Sequence, residues 1–398
     1  MLFAHDGPLE VGPDGIPRGV HFTDPLIDRY MQLGPQLSFL LRARPISADV
    51  ASKYTPLARD GFRFIPAHDV KGPIKQLIHG SSARLHIRNE VAKHDIFVVR
   101  LPSTVGRLTY DEARRQGKPV LVEFVACTWD ALWNYSLLGK LSAPYFFIKN
   151  RKLLRTAEYV IYVTEEFLQR RYPTEGKWIA CSNVVIDATP PAVLELRLKK
   201  ISEHTDEDSI TLTTIGPVDV LYKDQATVLQ ALVQLRKVGR RFRYRLIGQG
   251  CQKRLKGMAE RLGISDQIEF VGPVPYAEIP RWLDETDIYI QPSRTEGLPR
   301  ALIEAMSRGC PVLGSDAGGI PELLPSTRIF RKGNYRELRD MLMGLTAEDM
   351  MMDVRENFEK ADQYDRHVLE QRRKGFFNEF LSDSQRLLSQ ALDAGTKK

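Results

Sequence analysis

The chain has few of the features that mark disulfide-rich, metal-binding or membrane-spanning proteins. Its 398 residues include only 4 cysteines, which lie far apart, with no CxxC pair and no Cys/His cluster. We therefore expect buried thiols rather than disulfides or metal ligands. The longest apolar runs, such as Val120–Cys127, are strand-sized and shorter than the about 20 residues that a membrane-spanning helix needs. The first residues contain no basic leader and no small-residue cleavage site, so we expect no secretory signal.

The charge balance is nearly even, with a small positive excess. Lysine and arginine number 57 against 50 aspartates and glutamates, a formal net charge of +7. An excess of this size is compatible with an anionic partner, but it more often serves solubility. The hydrophobic share of 43%, with 27% charged residues, is that of an ordinary globular chain, so a disordered or fibrous protein is excluded.

Apolar, β-rich runs alternate with helical patterns and no repeat interrupts them, which predicts an α/β fold with parallel sheets built from βαβ units. In the first half, strands are predicted at Met1–Ala4, Gln36–Arg42, Phe62–Pro66, Ile96–Leu101, Val120–Val125, Tyr159–Val163 and Trp178–Cys181. In the second half, they are predicted at Ile210–Ile215, Arg243–Gly248, Ile268–Val271, Ile288–Gln291 and Pro311–Gly314.

A length of 398 residues exceeds what one hydrophobic core usually serves, so two domains are expected. The polar segment Lys199–Ser209 separates the two strand-rich halves and is the predicted linker. We place the first domain at 1–195 and the second at 196–364. A helical segment at 365–398 follows the second sheet, and whether it returns to the first domain is left open.

Glycines and glutamates are concentrated in residues 287–323. The pattern predicts, in order, a strand, a turn, a helix, a strand and a second turn: Asp287–Gln291, Pro292–Pro299, Arg300–Arg308, Pro311–Gly314 and Asp316–Gly319. A strand, glycine turn and helix present free backbone N–H groups and the positive end of a helix dipole, which suits a diphosphate. Glu296 and Glu304 can accept hydrogen bonds from neighbouring sugar hydroxyls. Taken singly, Glu296 is better interpreted as a loop charge and Glu304 as a residue that caps or solvates the helix, but the surrounding glycines and prolines favour the functional interpretation.

The segment resembles the signature of the family-four-type GT-B glycosyltransferases, the glycosyl transferases group 1. The matching residues are Pro292, Ser293, Glu296, Gly297, Glu304, Ala305, Met306, Gly309, Pro311, Val312, Gly318, Gly319, Pro321 and Glu322. The resemblance implies that Glu296 contacts the sugar of a nucleotide-sugar donor and that Glu304 holds the ribose hydroxyls. Gly297, Leu298 and Pro299 of the same turn are expected to border the donor. It also implies two Rossmann-like domains with parallel sheets facing across a cleft, the second domain binding the donor.

The segment Tyr222–Leu232 resembles the family's lysine-bearing helix start, which implies that Lys223 stabilises the charge growing on the leaving nucleotide. Two positions depart from the family pattern. Asp224 stands where glycine is usual, and Gly216–Pro217 stands where many members carry an arginine. We therefore expect phosphate neutralisation to depend on Lys223 and on the helix dipole. The alternative for Lys223 is a solvated cation at a helix start.

Two further glycine turns extend the resemblance. Gly248 and Gly250 follow a strand and precede a helix, but Lys253 occupies the third position of the dinucleotide fingerprint, which excludes that motif. In this register they resemble the family's glycine turn. The segment Ile268–Pro275 resembles the strand end that borders the base, which implies a base pocket at Val271 and Gly272. Core and turn roles are the alternative for both residues.

The first half resembles less specifically a branch of the family found in bacterial surface-polysaccharide synthesis. The segments that carry this resemblance are Ala4–Leu9, Val98–Gly106 and Gly117–Asn134. In GT-B enzymes the acceptor approaches from this domain, whose strand-end loops supply groups to the reacting centre. The expected acceptor-side residues are His5, Gly19, Arg100 and Trp129, with His5 and Asp6 placed after the first strand.

The catalytic group of the first domain is left open by the sequence. Many family members have a histidine near the end of the strand that contains Glu123, and none is present here. Glu123 and Asp130 are therefore the candidates, and Trp129 could stack on a sugar face. The alternative is that Glu123 pairs with Arg100 in a structural ion pair.

Two stretches rich in cations, Lys71–Lys93 and Lys140–Arg155, carry apolar and aromatic residues at helical spacing. Such a pattern can lie on an anionic membrane or face a lipid diphosphate acceptor. A solvated helix with its apolar face in the core also explains the pattern, and we prefer this interpretation.

By resemblance, the chain is expected to be a cytoplasmic, retaining hexosyl-type transferase of surface-polysaccharide synthesis that works without a metal ion. No DxD motif precedes a plausible metal site, and Asp206 and Asp208 fall in the predicted linker. The nucleoside diphosphate sugar is a substrate, so no cofactor is expected. The expected acceptor is a saccharide or lipid-linked saccharide, with peripheral contact to the inner face of the plasma membrane left open and nucleic acid excluded. The alternatives are a non-catalytic sugar-nucleotide-binding protein and a nucleotide-sugar epimerase; a phosphorylase is disfavoured because no lysine has a pyridoxal-type context.

Overall fold

A computed structural model describes residues 1–19, 22, 24–70, 73–203 and 209–395. The strands are β1 (Leu2–Val11), β2 (Pro17–Arg18), β3 (Leu37–Pro45), β4 (Phe62–Ala67), β5 (Phe97–Leu101), β6 (Val120–Phe124), β7 (Tyr159–Tyr162), β8 (Lys177–Ala180), β9 (Ile210–Ile215), β10 (Phe242–Ile247), β11 (Ile268–Gly272), β12 (Ile288–Gln291), β13 (Val312–Ser315) and β14 (Ile329–Phe330). The helices are α1 (Asp24–Met31), α2 (Ala48–Ala51), α3 (Pro73–Ala92), α4 (Thr104–Arg115), α5 (Thr128–Trp133), α6 (Leu137–Arg155), α7 (Phe167–Arg171), α8 (Ala192–Glu203), α9 (Gln225–Lys237), α10 (Lys253–Leu262), α11 (Ile279–Glu285), α12 (Arg300–Ser307), α13 (Ile320–Leu323), α14 (Tyr335–Gly344), α15 (Ala347–Ala361) and α16 (Arg366–Gly395).

The first sheet has the order β4-β3-β1-β5-β6-β7-β8, and the small strand β2 pairs with β1. Every pairing along this path is parallel, whereas β2 is antiparallel to β1. Helices cover both faces of a parallel sheet, so its central strands are apolar throughout. Strands β6 and β7 are buried at every residue, as this rule requires.

The second sheet has the order β11-β10-β9-β12-β13-β14 and is parallel at every pairing. The chain order reverses between β9 and β12, the first and fourth strands of this sheet. In open parallel sheets, ligands bind in the crevice at the carboxyl ends of strands beside such a reversal. The loops after β9 and β12 are therefore where a donor site is expected, and they contain Lys223 and Glu296.

Most predicted strands are confirmed, with small shifts at their ends. Ile210–Ile215 and Ile288–Gln291 match β9 and β12 at both ends. The prediction for β1 was too short, since the strand continues to Val11 across an irregularity between Ala4 and Pro8. His5 and Asp6 therefore lie inside this strand, not after it. Strands β2 and β14 were missed because two residues give no periodic pattern.

The predicted linker is wrong in its described part, because Lys199–Glu203 belongs to α8; residues 204–208 lie outside the described residues. Arg197 of α8 donates to the carbonyl oxygen of Leu283, 2.7 Å away, so this helix already packs on the second sheet domain. A β-bridge between Ile186 and Asp365 brings together two segments that run between the sheets. The predicted boundaries at 195/196 and 364/365 stay predictions.

The last helix, α16, packs against the first sheet domain. The rings of Phe376 and Phe380 lie 5.4 and 5.2 Å from that of Tyr159 in β7. Lys177 Nζ forms an ion pair with Asp383 Oδ2 at a distance of 2.9 Å. Helix α16, which follows the second sheet in the chain, therefore packs on the first sheet domain.

Candidate active site

An ion pair joins the loops that follow β9 and β12. Lys223 Nζ lies 2.5 Å from Glu296 Oε1. The same oxygen accepts hydrogen bonds from Ser293 Oγ at 2.6 Å and from Gln291 Nε2 at 3.0 Å. The two charged side chains are 15% and 11% exposed, so both are held at the surface of a crevice rather than in free solution. Three donors on one oxygen fix the orientation of the Glu296 carboxylate, while no described side chain donates to its Oε2.

Glu304 lies one turn into α12 and faces the same crevice. Its side chain is 10% exposed, and Oε1 is buried without a hydrogen-bond partner among the described residues. Arg300 Nη1 lies 4.0 Å from that oxygen, too far for a hydrogen bond. Burial raises the pKa of the Glu304 carboxyl above its ordinary value, against the opposing effects of Arg300 and Tyr276. A buried acceptor without a partner is costly, and a ligand hydroxyl would satisfy it.

These side chains line a cavity of about 350 Å³. Its lining consists of Ile215, Lys223, Val274, Tyr276, Ile279, Gln291, Glu296, Leu298, Pro299, Arg300, Ala301 and Glu304. Helix α12 begins after Pro299, whose side chain makes no capping hydrogen bond to the first N–H groups of the helix. An uncapped helix start beside a lysine is a ready anion site. The cavity therefore combines a place for phosphate with two carboxylates suited to hydroxyls.

The structure explains the aspartate that replaces the family's glycine. Asp224 has φ +48° and ψ 36°, the left-handed conformation in which glycine is favoured. Its buried carboxylate accepts hydrogen bonds from Thr227 Oγ1 at 2.8 Å and from Arg294 Nε at 2.9 Å. Burial raises the pKa of Asp224, while Thr227 and Arg294 oppose the rise. Asp224 therefore adopts the left-handed turn that glycine would form. Its hydrogen bond with Arg294 also connects the loop of Lys223 to the loop of Glu296.

The predicted base-pocket and glycine-turn residues lie at the ends of β10 and β11, outside the lining of the cavity. Gly248 and Gly250 form the turn between β10 and α10, and Gly272 ends β11 next to Val271. A Cβ added at Gly248 would lie 2.1 Å from the carbonyl oxygen of Gly216, so the loops after β9 and β10 stack only because this residue is glycine. The assignments of these four residues to donor binding stay predictions.

The charged candidates of the first domain are bonded to one another or to its helices. Arg100 Nε donates to Glu123 Oε2 at 3.0 Å, and Arg100 Nη2 donates to the Tyr30 hydroxyl at 2.9 Å. Glu123 lies within β6 and is 1% exposed. Burial acts to raise the pKa of its carboxyl, but Arg100, Arg373 and Arg29 outweigh burial and lower it. The ion pair that the sequence left as an alternative is therefore present.

Two further polar groups of this domain are satisfied locally. Both carboxylate oxygens of Asp6 accept backbone N–H groups of Thr104 and Val105, at 2.6 and 2.9 Å, at the start of α4. His5 Nδ1 lies 3.1 Å from the carbonyl oxygen of Arg100, and burial, aided by Arg100, lowers the pKa of His5 to about 4. His5 is therefore neutral near neutral pH.

The remaining acceptor-side candidates lie on two separate surfaces. Asp130 Oδ2 pairs with Arg171 Nη1 at 2.7 Å, and Trp129 stacks on Trp133 with ring centres 5.3 Å apart. Gly19 follows β2 and donates its N–H to Thr55 O at 3.2 Å. The structure therefore brings Lys223, Glu296 and Glu304 together, whereas Glu123, Asp130 and Gly19 have structural partners of their own.

Loops at the carboxyl ends of the two sheets touch. A Cβ added at Gly297 would lie 2.4 Å from the carbonyl oxygen of Val125, directly after β6. The Glu322 carboxylate accepts the backbone N–H groups of Glu165 and Glu166, at 2.7 and 3.0 Å, directly after β7. The two sheets thus face each other across a cleft, and the cavity opens into it from the second domain.

Several residues of this site carried no assigned role in the sequence. Ser293 belongs to the matched motif but gave no sign that it orients Glu296. Gln291 is the last residue of a predicted strand, and only its polarity in an apolar run marked it. Tyr276 follows the segment assigned to the base, and no pattern in the sequence singles it out.

Comparison with known proteins agrees with this architecture. The family model described as Glycosyl transferases group 1 matches residues 199–360. Protein CapJ of Staphylococcus aureus is 26% identical over 347 residues, covering 86% of this chain and 85% of CapJ. The putative colanic acid biosynthesis glycosyltransferase WcaL of Escherichia coli (strain K12) is 37% identical over 107 residues, covering 25% of this chain and 26% of WcaL. HepE of Anabaena, solved in complex with UDP-glucose, has a TM-score of 0.64 at 17% identity, covering 96% of this chain and 99% of HepE.

Two facing Rossmann-like domains, with the cavity at the carboxyl edge of the second sheet, define the GT-B fold. Within that class, residues 199–360 match the glycosyl transferases group 1, and this match together with the similar glycosyltransferases supports glycosyltransferase activity. Among the described residues, no group of three or more His, Cys, Asp and Glu side chains is placed to hold a metal ion. None of the described helices combines the length and apolarity needed to cross a membrane.

Proposed function

We propose that this chain is a retaining transferase that moves a hexosyl group from a nucleoside diphosphate sugar to a hydroxyl of a saccharide or lipid-linked saccharide. The observation that carries the donor assignment is the cavity that holds the Lys223–Glu296 pair and the unpartnered oxygen of Glu304. A diphosphate at the start of α12 would meet Lys223, while the ribose hydroxyls would satisfy Glu304. The UDP-glucose complex of the structurally similar HepE supports a donor of this class.

In the proposed reaction, Glu296 positions the donor sugar through the oxygen that no described side chain occupies. The bond between the anomeric carbon and the diphosphate breaks as the acceptor oxygen bonds to that carbon on the same face. The acceptor proton passes to the leaving phosphate. Lys223 and the N-terminus of α12 stabilise the negative charge on that phosphate, a role that a divalent cation fills in other transferases. The nucleotide sugar is consumed as a substrate, so the reaction needs no cofactor.

The biological setting is proposed from the names of relatives. WcaL is named for colanic acid biosynthesis, and AmsK of Erwinia amylovora, 39% identical over 109 residues, is named for amylovoran biosynthesis. We propose that this chain likewise extends a bacterial surface polysaccharide. The reaction is placed in the cytoplasm, on an acceptor held at the inner face of the plasma membrane. Nucleic acid has no part in it.

Donor turnover by the purified protein tests this function directly. We expect release of nucleoside diphosphate from one or more nucleotide sugars, unchanged by a chelator and abolished in Glu296→Ala. Binding without turnover would favour the non-catalytic alternative, and conversion of the donor into its epimer would favour the epimerase. Strict dependence on an added divalent metal would contradict the assignment of charge stabilisation to Lys223 and α12.

A further inference from the structure

Helix α6 and the residues just before it expose an apolar face that the rest of the described chain does not cover. The face consists of Trp133, Tyr135, Leu137, Leu138, Leu141, Tyr145 and Ile148, which we call the α6 apolar face. Leu137 and Leu141 are 76% and 74% exposed, and Ile148 is 53% exposed. The opposite side of the helix packs into the domain through Gly139, Ala143, Asn150, Leu153 and Leu154. The preferred interpretation of this stretch, in which its apolar residues lie in the core, is therefore wrong for this face.

The apolar face has a rim of positive charge and no acidic residue. Between Asp130 and Glu158 the chain contains no aspartate or glutamate. The same segment contains the cations Lys140, Lys149, Arg151, Lys152 and Arg155. Lys140 Nζ lies 5.8 Å from the ring centre of Trp133, and Lys149 Nζ lies 5.0 Å from that of Tyr145. Cations are thus placed beside the aromatic rings at the edge of the face.

The basic rim continues onto the neighbouring helices. A cavity of about 450 Å³ next to Lys149 is also lined by Arg84, Arg107 and Arg115. Asp111 and Glu112 line it too, pairing with Arg107 at 3.3 Å and with Arg115 at 2.6 Å, so Arg84 and Lys149 add to the net positive charge of this cavity. The surroundings of the face therefore match an anionic surface rather than a neutral apolar partner.

From this arrangement we propose that the α6 apolar face lies on an anionic lipid membrane. An apolar helix face with aromatic residues and a rim of lysine and arginine suits a helix lying in the membrane interface plane. Its cations attract acidic headgroups while the leucines enter the acyl boundary. The charge pattern favours lipid over a second copy of this chain as the partner. In a dimer through this face, the two positively charged rims would lie against each other and repel.

The position of the face connects it with the cleft. Asn134, between Trp133 and Tyr135, donates from Nδ2 to the carbonyl oxygen of Arg294, 3.4 Å away, in the loop that carries Glu296. A membrane held by α6 would thus lie beside the opening of the donor cavity. The biological role of this membrane contact rests on the proposed function, in which the acceptor is lipid-linked. Binding to vesicles can be measured without donor or acceptor, so it is tested separately.

Vesicle co-sedimentation of the purified full chain tests the proposal. One set of vesicles contains phosphatidylglycerol and phosphatidylethanolamine, and the other contains phosphatidylcholine alone. We expect binding to the first set only, weakened about tenfold or more in Leu137→Ser/Leu141→Ser/Ile148→Ser. Lys140→Gln/Lys152→Gln should also weaken it, and added salt should do the same.

The matched control is Leu196→Ser/Val238→Ser/Met343→Ser, which alters exposed apolar residues elsewhere in the chain. It should bind vesicles like the wild type, and the thermal midpoints of all variants should agree because the altered side chains are largely exposed. Equal binding by the α6 triple variant, or no binding by the wild type, would overturn the proposal. A wild-type dimer that the α6 triple variant dissociates, without vesicle binding, would assign the face to a second copy instead. Nucleotide binding, measured separately by thermal shift, reports on the donor site independently.

Discussion

The carboxyl edges of the two sheets both carry charged side chains but use them differently. In the second sheet, Lys223 and Glu296 meet in an open cavity, and Glu304 keeps a buried oxygen without a described partner. In the first sheet, Glu123 pairs with Arg100 through Oε2 while its Oε1 is enclosed without a described partner, and Asp6 caps a helix. An unpartnered carboxylate oxygen therefore marks a candidate ligand site only where it lines an open cavity, as Glu304 does, and not where it is enclosed, as in Glu123.

The largest effect is expected from breaking the buried pair in the first sheet. Arg100→Met would leave the Glu123 carboxylate buried without its cation and should lower the free energy of unfolding by about 3 kcal/mol. Arg100→Met/Glu123→Met should recover part of that loss, because it removes both charges. Chemical denaturation of the three proteins measures this. A fully stable Arg100→Met that no longer transfers sugar would instead place Arg100 in the acceptor site.

Lys223→Ala should act on catalysis rather than on folding. Without this cation the leaving diphosphate loses the lysine nearest to Glu296 and keeps only the helix start and Arg300, so single-turnover transfer should slow by about a hundredfold or more. The matched control is Lys253→Ala, an exposed lysine at the start of α10, which should leave the rate unchanged. Rates for Lys223→Ala within about twofold of the wild type would show that the diphosphate is neutralised elsewhere.

Glu304→Gln is expected to have smaller effects, lowering the affinity for nucleotide and raising the stability of the free protein. Loss of the carboxylate should weaken nucleotide affinity about tenfold, since one charged acceptor for the ribose is removed. In the free protein the variant should be more stable near neutral pH by about 1 kcal/mol, because it is costly to bury an ionised carboxylate that has one oxygen without a hydrogen bond.

The pH dependence of that stability follows from the raised pKa of Glu304. A carboxyl with a raised folded-state pKa stabilises the fold below its unfolded pKa, and this contribution is lost as pH rises through the folded pKa. The thermal midpoint of Glu304→Gln should therefore exceed that of the wild type increasingly as pH rises from acidic to neutral. A difference independent of pH would show that Glu304 does not titrate in this way.

The meeting of Glu296 and Glu304 at one crevice could be predicted from sequence because the two residues are close in the chain. The glycine turn, Glu296 and Glu304 belong to one strand–turn–helix unit, so their spacing alone places them at the same crevice. Asp224 could be noted as a departure, but its left-handed backbone and its bond to Arg294 depend on a loop distant in sequence.

The partners of the first-domain candidates and the exposure of the α6 apolar face could not be predicted in the same way. The bonds from Thr104 and Val105 to Asp6, and from Arg171 to Asp130, join segments far apart in the chain, and no local pattern reports them. The helical spacing of apolar residues in α6 predicts a face, but it does not say whether another element covers that face. Only the packing of the whole domain decides this.

The central claim is that the donor binds in the cavity of the second domain. Isothermal titration of nucleoside diphosphates into the wild type, Glu304→Ala and Asp130→Ala tests this claim most directly. We predict that at least one nucleoside diphosphate binds the wild type, that Glu304→Ala weakens this binding about tenfold or more, and that Asp130→Ala leaves it unchanged. Equal affinity for the wild type and Glu304→Ala, or a loss confined to Asp130→Ala, would contradict the account.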